Sequence, residues 1–127
     1  LLKWKVNKRA LKTLQGHSVV NFVSAASRVS IGPVGNIIYC ESANHNQTIY
    51  FAEGEPASVR ISQAELWEKL SPFGQFFLCG KTFIINLEQI EKILSDTVEM
   101  TTGKCLAVPR RILPALKNAY MDYLGMR

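Results

Sequence analysis

The chain has 127 residues, of which 47% are hydrophobic and 20% are charged. This length fits one domain that can bury a core without disulfides or metals, and this composition excludes a disordered chain. Its apolar runs are far shorter than the ~18 residues that span a bilayer, and early lysines interrupt any secretory signal, so we expect no membrane partner.

The charge is unevenly distributed along the chain, whose net charge is +5. Residues 1–17 contain five Lys and Arg residues and no acid, whereas residues 18–127 contain ten charges of each sign. Residues 2–15 combine cations with a helical apolar stripe and precede Gly16, so we expect a basic helical linker at 1–17 and one domain at 18–127. If this neutral domain binds a polyanion, its cations must be gathered on one face.

The three cysteines, Cys40, Cys79 and Cys105, lie in apolar strand-like stretches without a C-x-x-C pair. An odd count with this spacing favours a reducing, cytoplasmic compartment over a disulfide framework or a zinc site. We therefore expect each cysteine to behave as a small buried hydrophobic residue.

From residue 18 onward the hydrophobic period is two, which is typical of β-strands. In the third strand, Ile38 and Cys40 are expected on one face, with Ile37 and Tyr39 on the other. The first five strands are predicted at 19–23, 28–31, 36–42, 48–51 and 58–61. A polar turn at 43–46 and a Glu-Gly-Glu-Pro turn at 53–56 separate the later ones.

Ser62 followed by Glu65 is the pattern of a capping box and predicts a helix from Gln63 to Leu70. Five more short strands are predicted at 76–79, 82–85, 90–94, 98–101 and 104–108. A last helix should begin between Arg110 and Pro114 and end at Leu124, just before Gly125. Because βαβ alternation is missing, the sequence predicts a mostly β domain with one short helix and one C-terminal helix.

The sequence does not indicate an enzyme. It lacks a dinucleotide-binding glycine motif, a phosphate-binding loop, an H-E-x-x-H motif and a nucleophile elbow. His17 and His45 have no partners at ligand spacing, and the acids are scattered. We therefore expect no catalytic residues, no metal site and no cofactor.

Cationic and polar residues at the ends of predicted strands are the candidate functional residues. Lys81 follows the strand F-F-L-C and Arg110 follows the last predicted strand, each beside a backbone breaker. A polar tip, Asn44-His45-Asn46-Gln47, follows the third strand. Cations and amides on loops held by a stiff sheet are typical of proteins that contact nucleic-acid backbone and base edges.

Four stretches together resemble the LytTR family of bacterial DNA-binding domains. That family typically has a strand ending I-x-Y-I-E, a helix with E-x-L, a motif F-x-R-V-H-R-S-Y-I-V-N-L-x-x-I and a hairpin followed by V-S-R-R. The matching stretches are N-I-I-Y-C-E-S at 36–42, A-E-L-W-E-K-L at 64–70, F-L-C-G-K-T-F-I-I-N-L-E-Q-I at 77–90 and M-T-T-G-K-C-L-A-V-P-R-R at 100–111. The resemblance covers about residues 18–124 and implies an elongated domain of several β-sheets.

The resemblance also implies a function and a set of DNA-contacting residues. The family's loops enter successive major grooves of a bent duplex, and the domain serves as the output of two-component response regulators that control transcription. On this chain the implied contacts are the 44–47 tip, Lys81 with Thr82, and Arg110 with Arg111. The implied partners are double-stranded DNA, an upstream receiver domain and a second copy on direct-repeat DNA.

The chain departs from the family pattern at four positions at or beside these contacts. Gly80 replaces the usual His, Lys81 replaces Arg or Asn, Thr82 replaces Ser, and Pro109 replaces the Ser before the arginine pair. Lysine keeps the charge but lacks the bidentate fork that reads guanine. These departures and the neutral charge of the domain leave open an alternative, a protein-interaction module with weak or no DNA binding. Asn86, although it lies in the motif, is expected to be structural.

Overall fold

The structure, a computed structural model, describes residues 19–23 and 28–126, with side chains described from Val34 to Gly125. The described residues form ten β-strands, two α-helices and three single 3-10 turns. The strands are β1 (Val19–Val23), β2 (Arg28–Pro33), β3 (Ile37–Ala43), β4 (Asn46–Phe51), β5 (Ala57–Val59), β6 (Phe76–Cys79), β7 (Phe83–Asn86), β8 (Ile90–Ile93), β9 (Thr97–Met100) and β10 (Cys105–Ala107). The helices are α1 (Gln63–Leu70) and α2 (Leu113–Met126), and the 3-10 turns are Val34–Asn36, Ser71–Phe73 and Leu87–Gln89.

The mostly β fold class predicted from the sequence is confirmed, and most strand ends differ from prediction by one or two residues. All strand pairs are antiparallel. A five-stranded sheet has the order β5-β4-β3-β7-β6, a three-stranded sheet has the order β10-β9-β8, and β1 pairs with β2. The predicted linker at 1–17 lies outside the described residues.

The five-stranded sheet is covered on both faces, which makes it the rigid centre of the domain. On one face α1 packs over a cluster of buried residues. This cluster consists of Val34, Ile37, Cys40, Ile49, Val59, Ile61, Leu66, Leu70, Phe76 and Ile84. On the other face the three-stranded sheet and α2 enclose a second cluster. It consists of Ile38, Tyr39, Cys79, Ile85, Leu87, Ile90, Val98, Met100, Leu106, Val108, Leu113, Leu116 and Tyr123.

The central strand β3 has a register irregularity between Ile37 and Tyr39. As a result Ile37 and Cys40 lie in the first cluster, while Ile38 and Tyr39 both lie in the second. The prediction from strict alternation, with Ile38 and Cys40 on one face, is therefore wrong, because a bulge shifts the side-chain period by one residue. The bulge lets this doubly buried strand supply both cores.

Helix α1 begins where the capping pattern predicts. The Ser62 hydroxyl accepts a hydrogen bond of 3.1 Å from the backbone N–H of Glu65, and this bond satisfies one of the free donors at the helix start. Leu66 and Leu70 are fully buried and Trp67 packs beside them, as expected.

Asn86 is structural, as expected, and ties the end of β7 to the rest of the sheet. Its side chain is 0% exposed. Its amide Nδ2 donates to the carbonyl of Ile37 at 2.7 Å, and its Oδ1 accepts from the N–H of Glu88 at 2.9 Å and from Gln75 Nε2 at 3.4 Å. Because both the nitrogen and the oxygen of this amide are hydrogen-bonded, its burial leaves neither atom without a partner.

Helix α2 differs from prediction at its C-terminal end. Pro114 lies in the first turn, where the lack of its N–H is harmless. The helix does not end before Gly125 but continues to Met126, and Gly125 does not adopt the positive φ of a helix-ending glycine. None of the helices in the described part of the chain is long and apolar enough to span a bilayer.

The cysteines do not share one environment. Cys40 and Cys79 are buried, as predicted, and burial raises the pKa of the Cys40 thiol to about 12. Cys105 is exposed, because its neighbour Leu106 takes the buried face of the short strand β10. The prediction of a third buried cysteine is therefore wrong.

Candidate nucleic-acid interface

Three connections emerge from the same end of the five-stranded sheet, which we call the loop end. The β3–β4 hairpin closes there with Ala43 opposite Asn46. Strand β6 leaves the sheet there and β7 enters, because Phe83 pairs both with Cys79 and with Glu41, near the end of β3. Strand β5 also ends there, since Val59 pairs with Gln47.

One backbone contact joins the first two of these connections. The N–H of Ser42 donates a hydrogen bond of 2.7 Å to the carbonyl oxygen of Thr82. This bond continues the β3–β7 pairing beyond Phe83 and brings the β3–β4 tip beside the β6–β7 turn. Two of the three sequence-predicted contact regions are therefore neighbours in the fold.

The β3–β4 tip is a two-residue turn whose two central residues have left-handed backbone conformations. Asn44 has φ 51° and His45 has φ 65°, and positive φ at both central positions defines the type I′ turn that matches strand twist. Asparagine tolerates this conformation, whereas histidine adopts it at some cost. Asn44, His45 and Asn46 are exposed, so their polar groups are available to a ligand.

Gln47, predicted as part of the same tip, has a different environment. Its side chain is 1% exposed, and its Nε2 donates to Ser42 Oγ at 3.0 Å and to the carbonyl of Ile61 at 3.2 Å. In this arrangement its amide is not available to contact DNA. The sequence contained the signal for this, because Gln47 lies two residues before Ile49 and so shares its buried face.

The β6–β7 turn exposes Lys81 and Thr82. It depends on Gly80, which has φ 64°. A Cβ atom at this position would lie 3.1 Å from Cδ1 of Ile112. Glycine therefore permits both the left-handed backbone and the close packing of the segment that precedes α2.

An open cleft of about 660 Å³ joins this turn to the segment before α2. Lys81 and Thr82 lie on one side, and Pro109 and Arg111 lie on the other. Arg110 is exposed but does not line the cleft. The structure thus brings Lys81, Thr82 and Arg111 together and leaves Arg110 just outside.

Two further charged residues at this site were not found from the sequence. Asp96, in the β8–β9 turn, lines the cleft, and its carbonyl accepts a hydrogen bond of 3.0 Å from the N–H of Val108. Arg60 is exposed and directly follows β5 at the loop end. Only the packing of separate sheets places Asp96 here, so no local pattern could have shown it, whereas Arg60 could have been found from strand order.

Charge differs between the two ends of the five-stranded sheet. The β4–β5 turn, which carries Glu53 and Glu55, and the 3-10 turn after β7, which carries Glu88, lie at the end opposite to the loop end. Lys81 and Arg60 lie at the loop end, together with Glu41, which pairs with Phe83 there. A polyanion would therefore be repelled by the opposite end and would meet Lys81 and Arg60 at the loop end, beside the Glu41 carboxylate.

The cations of the site are available to an external ligand. Lys81, Arg110 and Arg111 form no salt bridge with another residue among those that the structure describes. Asp96 is the carboxylate that lines the cleft with Lys81 and Arg111. Within residues 19–23 and 28–126, no group of three or more His, Cys, Asp or Glu side chains is placed to hold a metal ion.

Comparison with known proteins agrees with this architecture. The family described as LytTR, LytTr DNA-binding domain, matches residues 27–121. A solved structure, the LytTr DNA-binding domain of a protein described as a methyl-accepting/DNA response regulator from Bacillus cereus, is similar in fold. Its TM-score is 0.63 at 21% identity, and the match covers 82% of this chain and 97% of that one. No curated protein matches in sequence. Since the family match spans most of the chain, the protein belongs to the LytTR family of DNA-binding domains.

Proposed function

We propose that this chain binds double-stranded DNA sequence-specifically and acts as the output domain of a bacterial two-component response regulator. The observation that carries the proposal is that the β3–β4 tip, the β6–β7 turn and the segment before α2 adjoin one another. The Ser42–Thr82 hydrogen bond holds the tip beside the β6–β7 turn, and one cleft contains Lys81 and Arg111. Family membership supports the DNA partner, and the printed description of the Bacillus cereus domain supports the response-regulator role.

The rigid sheet would present these loops to the duplex as one surface. The tip of Asn44, His45 and Asn46 would enter one major groove, and the segment at Arg110 would enter the next. The β6–β7 turn would follow the backbone between them. Successive contacts of this kind favour a bent duplex and, on direct-repeat DNA, two copies of the chain. In the full regulator, an upstream receiver domain would control this binding in the cytoplasm.

Each side chain is suited to a different part of the DNA. Lys81 is a compact point charge that suits a phosphate, and Arg111 suits a phosphate at the other side of the cleft. The planar fork of Arg110 suits the O6 and N7 atoms of guanine, and the amides of Asn44 and Asn46 suit the N6 and N7 atoms of adenine. Phosphate contacts would position the domain, and base contacts would give it specificity.

Asp96 favours the alternative of a protein-interaction module. Its carboxylate would repel a phosphate in the cleft that Lys81 and Arg111 also line. A protein partner with both charges could pair with all three side chains. The two functions differ in their salt dependence, because only DNA releases condensed counterions when cations bind it.

Selection of duplexes from a random-sequence library, followed by gel shifts at two salt concentrations, tests the proposal. DNA binding predicts an enriched sequence and an affinity that falls steeply as salt rises. An unenriched library, with affinity no greater than that of unrelated basic proteins, would favour the protein-interaction module. Fusion of the selected duplex to a reporter promoter then tests transcriptional control.

A further inference from the structure

Gln47 connects three parts of the chain at the base of the β3–β4 tip. It pairs across the hairpin with Ser42, whose hydroxyl oxygen accepts a hydrogen bond from Gln47 Nε2 at 3.0 Å. The same nitrogen donates to the carbonyl of Ile61 at 3.2 Å, in the loop between β5 and α1. The amide therefore links the two strands of the hairpin to each other and links the hairpin to the loop between β5 and α1.

The tip that Gln47 supports has a strained backbone. Asn44 and His45 adopt φ values of 51° and 65° in succession, and left-handed conformations of non-glycine residues persist only where the surrounding structure holds them. The hydrogen bonds of Gln47 begin two residues after His45. They are the side-chain bonds of the described residues that lie nearest to this turn along the chain.

We propose that Gln47 is a positioning residue for DNA recognition, which holds the tip in the geometry that Asn44, His45 and Asn46 need to read bases. The inference rests on the proposed function. A loop that is already ordered loses less conformational entropy on binding, so a fixed tip binds more tightly than a mobile one. Gln47 thus acts through the tip, although it cannot touch DNA itself.

Gln63 provides a matched contrast within the same region. It is the first residue of α1, and its Nε2 atom is buried without a hydrogen-bond partner among the described residues. Loss of its amide would therefore break no bond to the tip. Gln47→Met and Gln63→Met remove the same chemical group at similar volume, but only the first should release the hairpin.

Amide hydrogen exchange in the full chain tests the geometric half of the inference without DNA. In Gln47→Met, the amides of Ala43 and Asn46, the pair that closes the hairpin, should exchange at least about tenfold faster, as expected when hydrogen bonds that restrain a turn are lost. In Gln63→Met their rates should not change. Ser42→Ala, which removes only one acceptor, should give an intermediate rate and serves if Gln47→Met does not fold.

A double-mutant cycle on a duplex selected by the wild-type chain tests the recognition half. Asn44→Gly, which keeps the left-handed turn and removes the amide, should weaken binding in the wild type but have much less effect in Gln47→Met, because a released tip no longer reads its bases. Arg110→Ala, at a separate contact, should cause the same fold-loss in both backgrounds. Thermal unfolding confirms that each variant is folded at the temperature of the measurement.

The possible results separate the inference from the proposed function. Unchanged exchange at the tip in Gln47→Met and Ser42→Ala, or additive effects of Gln47→Met and Asn44→Gly, would overturn the positioning role. Faster exchange together with coupling confined to Asn44 would support it. If the wild-type chain selects no duplex, the proposed function fails and the recognition role fails with it, while the exchange rates still decide whether Gln47 orders the tip.

Discussion

Gly80 packs against the side chain of Ile112 so closely that a Cβ atom at Gly80 would lie 3.1 Å from Ile112 Cδ1. This contact seats the segment that contains Arg110 and Arg111 against the turn that contains Lys81. Gly80, one of the departures from the family pattern, therefore packs directly against the opposite side of the cleft.

Replacement of Gly80 by alanine should destabilise the fold more than the same change at Gly74. Both glycines have positive φ, 64° and 76° respectively, but no atom lies within 4 Å of a Cβ atom at Gly74. We expect a loss of about 1 kcal/mol for Gly74→Ala and about 2–3 kcal/mol for Gly80→Ala, since the second adds overpacking to backbone strain. Urea unfolding of the two variants measures the difference, and equal losses would show that the Ile112 contact adds nothing.

Asn86→Ala should be strongly destabilising. The change leaves the Ile37 carbonyl without its donor and the Glu88 N–H without its acceptor, which should lower the free energy of unfolding by about 2–4 kcal/mol. Asn118, an exposed residue of α2, provides the control, and Asn118→Ala should change stability by no more than about 0.5 kcal/mol. Similar midpoints in urea for the two variants would contradict the structural role of Asn86.

The thiols should differ sharply in reactivity. Burial raises the pKa of Cys40 from 9.0 to about 12 and raises that of Cys79 as well, so both remain protonated and shielded at pH 8, whereas Cys105 is exposed. A thiol reagent should label one cysteine in the native protein and three in urea. Cys105→Ser should abolish the native labelling, and any rapid labelling that remains would contradict the burial of the other two.

The raised pKa of Cys40 also predicts how the stability of the fold changes at high pH. Because the folded-state pKa of Cys40 lies above its unfolded value of 9.0, the unfolded chain loses this proton first as pH rises. The protonated Cys40 thiol therefore makes its full contribution to the stability of the fold below pH 9, and this contribution is lost progressively between pH 9 and about pH 12. Cys40→Ala should reduce this alkaline loss of stability, as measured by urea unfolding at pH 8 and pH 10, and an identical loss in both proteins would refute it.

His45→Gly should separate stability from recognition. Glycine relieves the left-handed strain at this exposed turn position, so the midpoint of thermal unfolding should rise, by the equivalent of about 0.5–1 kcal/mol. Affinity for the selected duplex should fall, because the imidazole is removed and the turn gains freedom. A glycine variant that binds as tightly as the wild type would remove His45 from the interface.

Much of the fold could be predicted because local signals agreed with the final packing. The Ser62 cap predicted the start of α1, and the alternating stretch around Ile49 and the apolar run at 83–85 predicted two strands of the five-stranded sheet. The bulge in β3 could not be predicted, since it results from the need of one strand to supply two cores. The end of α2 could not be predicted from Gly125 either. A glycine ends a helix only where it adopts a positive φ, and Gly125 does not.

The candidate site was less predictable than the fold. Exposed polar residues at strand ends indicated the correct loops, but the distinction between Gln47 and Asn46 depended on which face each residue takes. The neighbouring positions of the tip and the β6–β7 turn depend on the pairing of β3 with β7, which are separated by about 40 residues. Asp96 enters the cleft only through the packing of the three-stranded sheet, which has no local signature.

The salt dependence of DNA binding by cation variants tests the central claim most directly. Affinity for the selected duplex would be measured over a salt series for the wild type, Lys81→Ala, Arg111→Ala and Lys92→Ala, the last being an exposed lysine of β8 that does not line the cleft. If DNA binds at the loop end and the cleft beside it, Lys81→Ala and Arg111→Ala should each make the slope of log affinity against log salt less steep by about 0.9. Lys92→Ala should leave the slope unchanged. Equal slopes for all four proteins would show that the duplex does not bind at this site.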